Sequence, residues 1–179
     1  MNKPNRQRKT HFEGRYLSLL EIESWEYCSR CNATGVVILI AVTDKDELLL
    51  VEQFRIPVNS HVIELPAGLV GDTNEPDESI IQAAKRELFE ETGYSAEHFE
   101  VMMSCPSSAG MSDEIITFVM AKNLTRTGAG GGDASEDITV HKIPLGQVES
   151  WLDHQRQNEI MIDPKIFSAL YWQGQTRDR

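Results

Sequence analysis

A chain of 179 residues with 40% hydrophobic content fits one domain and can bury a sizeable core. Its formal net charge of -11 argues against binding a nucleic-acid backbone, which needs clustered Lys and Arg. No apolar run approaches the roughly 20 residues that cross a bilayer, so no membrane partner is expected.

Residues 1–13 are basic at Lys3, Arg6, Arg8 and Lys9, lack a following apolar segment of signal-peptide type, and read as a flexible tail. Tyr16 to Ile22 and Trp25 to Arg30 read as strands joined near Glu23-Ser24. The three cysteines, at 28, 31 and 105, fit a reducing cytosol. A zinc site built on Cys28-x-x-Cys31 would want a second ligand pair, and Cys105 is the only other cysteine, so the pair reads as strand residues near a turn. Gly35 to Thr43 is a β-branched apolar run and reads as a buried strand. Asp44-Lys45-Asp46 turns the chain, and Glu47 to Phe54 reads as the hairpin partner. Val62 to Leu65 is another short strand, broken by Pro66-Ala67-Gly68.

A helix is expected from about Asp77, an N-cap candidate behind Pro76, to Gly93, which suits a left-handed terminus. Ile80, Ala83, Ala84 and Leu88 form its apolar stripe. Glu100 to Ser104, Glu114 to Ala121 and Ile138 to Ile143 read as strands, with Leu145 to His154 and Pro164 to Trp172 as closing helices. The run Gly128-Ala129-Gly130-Gly131-Gly132 reads as a mobile loop. Strands and helices in this order suggest a mixed sheet between helical layers.

The expected helix carries Glu87, Glu90 and Glu91. Residues three and four apart share a helical face, so Glu87 neighbours both of the others. Three like charges packed together repel, which makes sense if a divalent cation sits among them.

Read with Gly71 and Glu78 upstream, and with Arg86-Glu87-Leu88, Glu90-Glu91 and Gly93 in register, this spacing resembles the Nudix box. Six residues rather than five separate Gly71 from Glu78, which reads as a one-residue loop insertion, and Tyr94 stands where an aliphatic residue is usual. The resemblance implies an α/β/α Nudix sandwich over residues 34–179, with residues 14–33 as an N-terminal strand extension that forms a homodimer. Glu52-Gln53-Phe54-Arg55, Glu64-Leu65-Pro66-Ala67-Gly68 and Ser112-Asp113-Glu114 look like the ADP-ribose pyrophosphatase group, which hydrolyses nucleoside diphosphate sugars. Ser108-Ala109-Gly110 stands where that group carries Ser-Pro-Gly, which keeps GDP-mannose, UDP-glucose or another nucleotide sugar open beside ADP-ribose.

By the same resemblance, Mg²⁺ or Mn²⁺ is the cofactor. Its ligands would be Glu87, Glu90, Glu91, Glu136 and the backbone carbonyl of Ala67. Hard Mg²⁺ prefers such oxygen ligands, and it would neutralise the pyrophosphate and activate water. Arg86 would orient the carboxylates, and Glu90 or Glu136 would take part in catalysis. The general base is open: Ala134 stands where many relatives place it, which leaves Glu136, Asp133 or metal-bound hydroxide. Trp25 matches the aromatic residue that stacks the base, and Arg30 and Arg55 match arginines that hold the diphosphate, a geometry guanidinium suits. The localisation implied is cytoplasmic. A non-catalytic nucleotide-sugar sensor on the same fold is the rival reading, disfavoured because sensors of this kind usually lose the box glutamates.

Overall fold

The computed structural model describes residues 7–72, 77–132 and 137–177. Three antiparallel strands open the chain: β1 (Arg8–Glu13), β2 (Leu17–Ile22) and β3 (Trp25–Arg30), in the order β1-β2-β3. The flexible tail expected over residues 1–13 is therefore a strand from Arg8 onward, because its backbone groups find partners along β2, from Arg8↔Ile22 to Glu13↔Ser18. Every β1 side chain is exposed, so pairing rather than burial holds it.

The chain then enters the core at β4 (Gly35–Ala41). Successive side chains on a strand point to opposite faces. Val37, Leu39 and Ala41 enter one hydrophobic cluster, and Ile38 and Ile40 enter another. A strand buried on both faces needs neighbours on both edges. β4 pairs antiparallel with β7 (Ala67–Val70) and parallel with β9 (Ile115–Arg126), and β9 pairs with β8 (Tyr94–Pro106). A mixed sheet of order β7-β4-β9-β8 results.

The expected hairpin between Gly35–Thr43 and Glu47–Phe54 is corrected here. The turn forms, with Thr43 N–H donating to Glu47 O at 2.9 Å and Asp46 at a φ of 60°. One bridge, Val42↔Leu48, follows, and then the strands part. β5 (Glu47–Arg55) pairs instead with β6 (Ser60–Glu64) and β10 (Thr139–Pro144), while β11 (Met161–Ile162) adds to β6 in parallel. The physical cause is the same as for β4: Leu48, Leu49 and Leu50 are fully buried and feed both clusters, so β5 takes its own two neighbours. The expected break at Pro66-Ala67-Gly68 is also a strand, β7, recruited by the free edge of β4.

Helix α1 (Ile80–Thr92) lies on one side of the mixed sheet, burying Ala83, Ala84 and Leu88 against Val37, Leu39, Val70 and Val119. Removing the Leu88 side chain from such a site costs about 2–5 kcal/mol. On the other side, α2 (Val148–Gln157) and α3 (Lys165–Arg177) supply Val148, Leu152, Ile166 and Ala169 to the second cluster, together with Leu48, Leu50 and Ile63. This is the expected α/β/α layering with an N-terminal strand extension.

The N-cap of α1 is Ser79, not Asp77. Its hydroxyl accepts from Gln82 N–H while the Gln82 side chain accepts from Ser79 N–H, a reciprocal capping box. The helix ends at Gly93, at a φ of 73°. The glycine run, expected as a mobile loop, is instead docked on that end. Gly128 N–H donates to Gly93 O at 2.9 Å, Gly131 N–H to Glu91 O at 2.8 Å and Gly132 N–H to Glu90 O at 3.0 Å. A helix C-terminus leaves carbonyls without intrahelical donors, and these amides supply them. Only glycine fits at 130, where φ is 73° and a Cβ would lie 2.5 Å from the Thr92 carbonyl carbon.

Candidate active site

Arg86 organises the acidic face of α1. Its Nε donates to Glu78 Oε1 at 2.9 Å and its Nη2 to Glu78 Oε2 at 3.1 Å, a bidentate pair. Its Nη1 donates to Glu87 Oε1 at 2.7 Å and to Glu90 Oε2 at 3.2 Å. Its Nη2 also reaches the Leu69 carbonyl at 2.9 Å, which ties α1 to β7. The crowding of like charges seen in the spacing is thus offset by one guanidinium.

Glu78 accepts a further bond from Gly71 N–H at 3.0 Å. The hydrogen bonds from Arg86 come first among the causes that hold its carboxyl below the usual range. Glu78 stands before the helix yet meets the arginine one turn and more downstream, so it steadies Arg86 rather than lying remote from it.

Glu87 and Glu91 face inward, 8% and 2% exposed, while Glu90 is exposed at the rim. Burial pushes the Glu87 carboxyl up to about 7, against the opposing pull of Arg86. Glu91 Oε2 accepts from the Ala67 amide at 3.0 Å. Both carboxylates therefore press on β7. A Cβ on Gly68 would lie 1.8 Å from Glu87 Cδ, so the missing side chain at 68 is the space that Glu87 occupies. Sequence reasoning assigned Ala67 and Gly68 to close metal approach; the residue that approaches Gly68 is Glu87.

A cleft of about 460 Å³ opens over this face. Glu87, Asp72, Ala67 and Gly68 line it from the helix side, Arg55 and Glu64 from β5 and β6, Arg30 and Glu114 from β3 and the approach to β9, and Lys165 from the start of α3. Its cations are paired with carboxylates: Arg30 with Glu114 at 2.8 Å, Arg55 with Glu64 at 2.6 Å, and Lys165 with Asp163. Of the expected substrate contacts, Arg30 and Arg55 are brought together here.

Trp25 is not. It is 63% exposed, its indole N–H donates to Gly110 O at 3.1 Å, and it lines a separate surface depression with Ile22, Glu23, Ser24 and Tyr27. The reason is the extension sheet. β3 is stitched to residues 110–114 through Cys28 N–H to Met111 O at 2.8 Å and Ser29 Oγ to Asp113 at 3.0 Å, which leaves the Trp25 ring against Gly110. Cys28 and Cys31 are free thiols, as strand residues near a turn should be.

Glu136 and the loop residues Asp133 and Ala134 lie outside the described residues. Their flanks meet the catalytic helix: Gly132 bonds to Glu90 O, and Ile138 N–H reaches Gly131 O at 3.4 Å. Sequence reasoning did not select Lys165 or Asp72, which no local motif marks. Glu64 and Glu114 sat inside quoted motifs without an assigned role.

The donors around Glu87 and Glu91 are oxygen alone, which suits a hard divalent cation. Among the described residues, however, the three whose ligating atoms lie within 4.8 Å of one another are His11, Glu21 and Glu26, on the extension sheet. At the box, Arg86 holds the glutamates.

A model of the NUDIX domain matches residues 33–163. Methanol dehydrogenase activator of Bacillus methanolicus is 34% identical over 77% of this chain and 71% of its own length. ADP-ribose pyrophosphatase of Bacillus subtilis is 37% identical over 51% of this chain and 47% of its own, and GDP-mannose pyrophosphatase of Citrobacter koseri is 34% identical over 65% and 62%. The chain thus spans less than two thirds of the length of these two pyrophosphatases. A solved structure of an ADP compounds hydrolase superposes with a TM-score of 0.70 over 96% of this chain and 92% of its own, at 22% identity, a likeness of fold alone. The chain belongs to the Nudix family and is a hydrolase of pyrophosphate bonds.

Proposed function

We propose that this protein hydrolyses the pyrophosphate bond of a nucleoside diphosphate sugar with Mg²⁺ or Mn²⁺ as cofactor, and that the substrate is ADP-ribose, cleaved with one water to AMP and ribose 5-phosphate. One observation carries the reading: two buried carboxylates, Glu87 and Glu91, press on β7 at the foot of a cleft lined by Arg30, Arg55 and Lys165. Acid and base are segregated there as a metal-bridged diphosphate requires. A cation held by Glu87, Glu91 and, in this proposal, Glu90, Glu136 and the Ala67 carbonyl would supply charge neutralisation and an activated water. Arg86 holds the carboxylates in place. Arg30 and Arg55 bind the diphosphate by exchanging their glutamate partners for phosphoryl oxygens, to which guanidinium is matched. Glu136 is the base of the proposal.

The relatives named for ADP-ribose and GDP-mannose support the substrate class, and Ala109 in place of proline keeps a nucleotide hexose as the alternative. The proposal includes a cytoplasmic homodimer formed through β1 to β3, supported by exposed Phe12, Tyr16, Leu17 and Trp25 on that extension. In such a dimer Trp25 would stack on the nucleobase in the partner's cleft. No helix among the described residues is long and apolar enough to cross a membrane. A second reading rests on the likeness to methanol dehydrogenase activator: the chain stimulates a dehydrogenase.

The test is incubation with ADP-ribose, GDP-mannose, UDP-glucose and ATP, with Mg²⁺, Mn²⁺ or EDTA, and separation of products by chromatography. AMP from ADP-ribose, abolished by EDTA, is expected. Preference for GDP-mannose would move the substrate and keep the chemistry. Binding without turnover across the panel would sink the enzyme reading in favour of a sensor. Stimulation of methanol dehydrogenase without turnover of any nucleotide sugar would favour the second reading.

A further inference from the structure

Lys165 is a cleft cation that neither the box nor the family motifs assign. Its place follows from β11. Ile162 pairs in parallel with Ile63, and Asp163 N–H donates to Ile63 O at 2.9 Å, so the chain leaves the sheet beside Glu64 and starts α3 at the cleft. Asp163 is 8% exposed and anchors the turn: one carboxylate oxygen accepts from Lys165 N–H at 2.8 Å, and the other accepts from the Lys165 ammonium. A lysine stem is flexible, so an ammonium without such a partner would be held in no one place. Here a buried carboxylate two residues away sets it at the cleft wall that Arg55 also lines.

The ammonium has three donors, and Asp163 accepts one. An anion entering the cleft can take the others without breaking the Asp163 pair. Arg30 and Arg55 are different, because each is held through its Nε by a glutamate at 2.9 and 2.6 Å. Arg86, the other cation near the acidic face, is consumed by Glu78, Glu87 and Glu90.

We propose that Lys165 is a substrate-binding residue that contacts a phosphoryl oxygen of the diphosphate, with Asp163 as its positioning residue. This rests on the pyrophosphatase reading above. A compact ammonium suits a phosphoryl oxygen as a point charge. Binding through Lys165 is thereby directed to the charge of the diphosphate and not to the sugar, so it serves any nucleoside diphosphate sugar that the cleft admits.

The test uses Lys165→Met, which keeps the length of the stem and removes the charge, beside Lys165→Arg. Steady-state kinetics on ADP-ribose with Mg²⁺ are paired with calorimetric binding of inorganic pyrophosphate, which needs no turnover. Lys165→Met is expected to raise KM, and to weaken pyrophosphate binding, by about tenfold or more, as loss of a hydrogen bond to a charged group does. kcat should change less than KM, the melting temperature should hold, and Lys165→Arg should restore part of the affinity. Unchanged KM and pyrophosphate affinity in a folded Lys165→Met protein would overturn the proposal. So would a lowered melting temperature with affinity intact, the mark of a purely structural ion pair. If the wild type turns over no nucleotide sugar, the parent reading has failed, while the pyrophosphate titration still decides for or against Lys165.

Discussion

Replacing Gly68 by alanine separates the geometry of the site from the stability of the fold. A Cβ at 68 would stand 1.8 Å from Glu87 Cδ and Oε1 and 2.4 Å from Oε2. The β7 backbone is fixed by its pairing with β4, where Gly68 faces Val37, so the side chain of Glu87 must move. It has to withdraw to an ordinary contact of 3.4 Å or more. A misplacement of about 1 Å in a reacting group costs roughly 10²-fold, so kcat should fall at least about 100-fold, or about 2.7 kcal/mol of activation free energy. Stability should move little. The displaced group is the end of a side chain whose carboxyl is pushed up to about 7 by burial, and moving it toward solvent relieves that penalty. The assay is kcat on saturating ADP-ribose with Mg²⁺, beside thermal unfolding in EDTA, for Gly68→Ala, Glu87→Gln and the double variant. Because the two changes act on one carboxylate, the double variant should be little worse than Glu87→Gln alone. Near-normal turnover of Gly68→Ala, or losses that simply add, would refute the reasoning.

Glu90→Gln and Glu91→Gln should each cut turnover by orders of magnitude while the circular dichroism of the fold persists; near-normal rates in both would remove the metal-site assignment. The pH dependence of the metal-free protein should reveal Glu87. Its folded value, about 7, lies above the ordinary 4.5, so its contribution to stability is present at low pH and is lost as pH rises through that window. Glu87→Gln in EDTA should match wild type near pH 5 and melt higher at pH 8, by a margin of up to about 3 kcal/mol; a difference that does not change with pH would count against the burial argument. Ser79→Ala removes the cap of α1 and should cost about 1 kcal/mol by denaturant unfolding, whereas Asp77→Ala should cost little, and the reverse order would restore Asp77 as the cap.

Much of α1 was legible because its determinants are local. The apolar stripe of Ala83, Ala84 and Leu88, the left-handed Gly93 and the glutamates at three- and four-residue spacing lie within one helix, so period alone predicts their faces. The start was misread by two residues because Pro76-Asp77 drew the eye from Ser79-Ile80-Ile81-Gln82, whose capping box was equally visible. Other misreadings share one cause. The split of β4 from β5, the strand at Ala67–Val70 and the docking of the glycine run all depend on which distant backbone groups are free to pair. Trp25 was assigned by resemblance, and within the single chain its indole is held by Gly110, across 85 residues of sequence.

What the sequence determined by itself was the helix and its chemistry: which carboxylates share a face, where the helix ends, and that Arg86 falls one turn from Glu90. These follow from a repeat of 3.6 residues, which needs no partner to be read. What only the tertiary structure decided was which of those carboxylates is buried and what stands across from them. Glu87 fits because a glycine lies opposite it on β7, and Arg30, Arg55 and Lys165 share one cleft because three separate strand pairings bring them there. Burial and opposition are relations between segments far apart in the chain, and no local spacing encodes them.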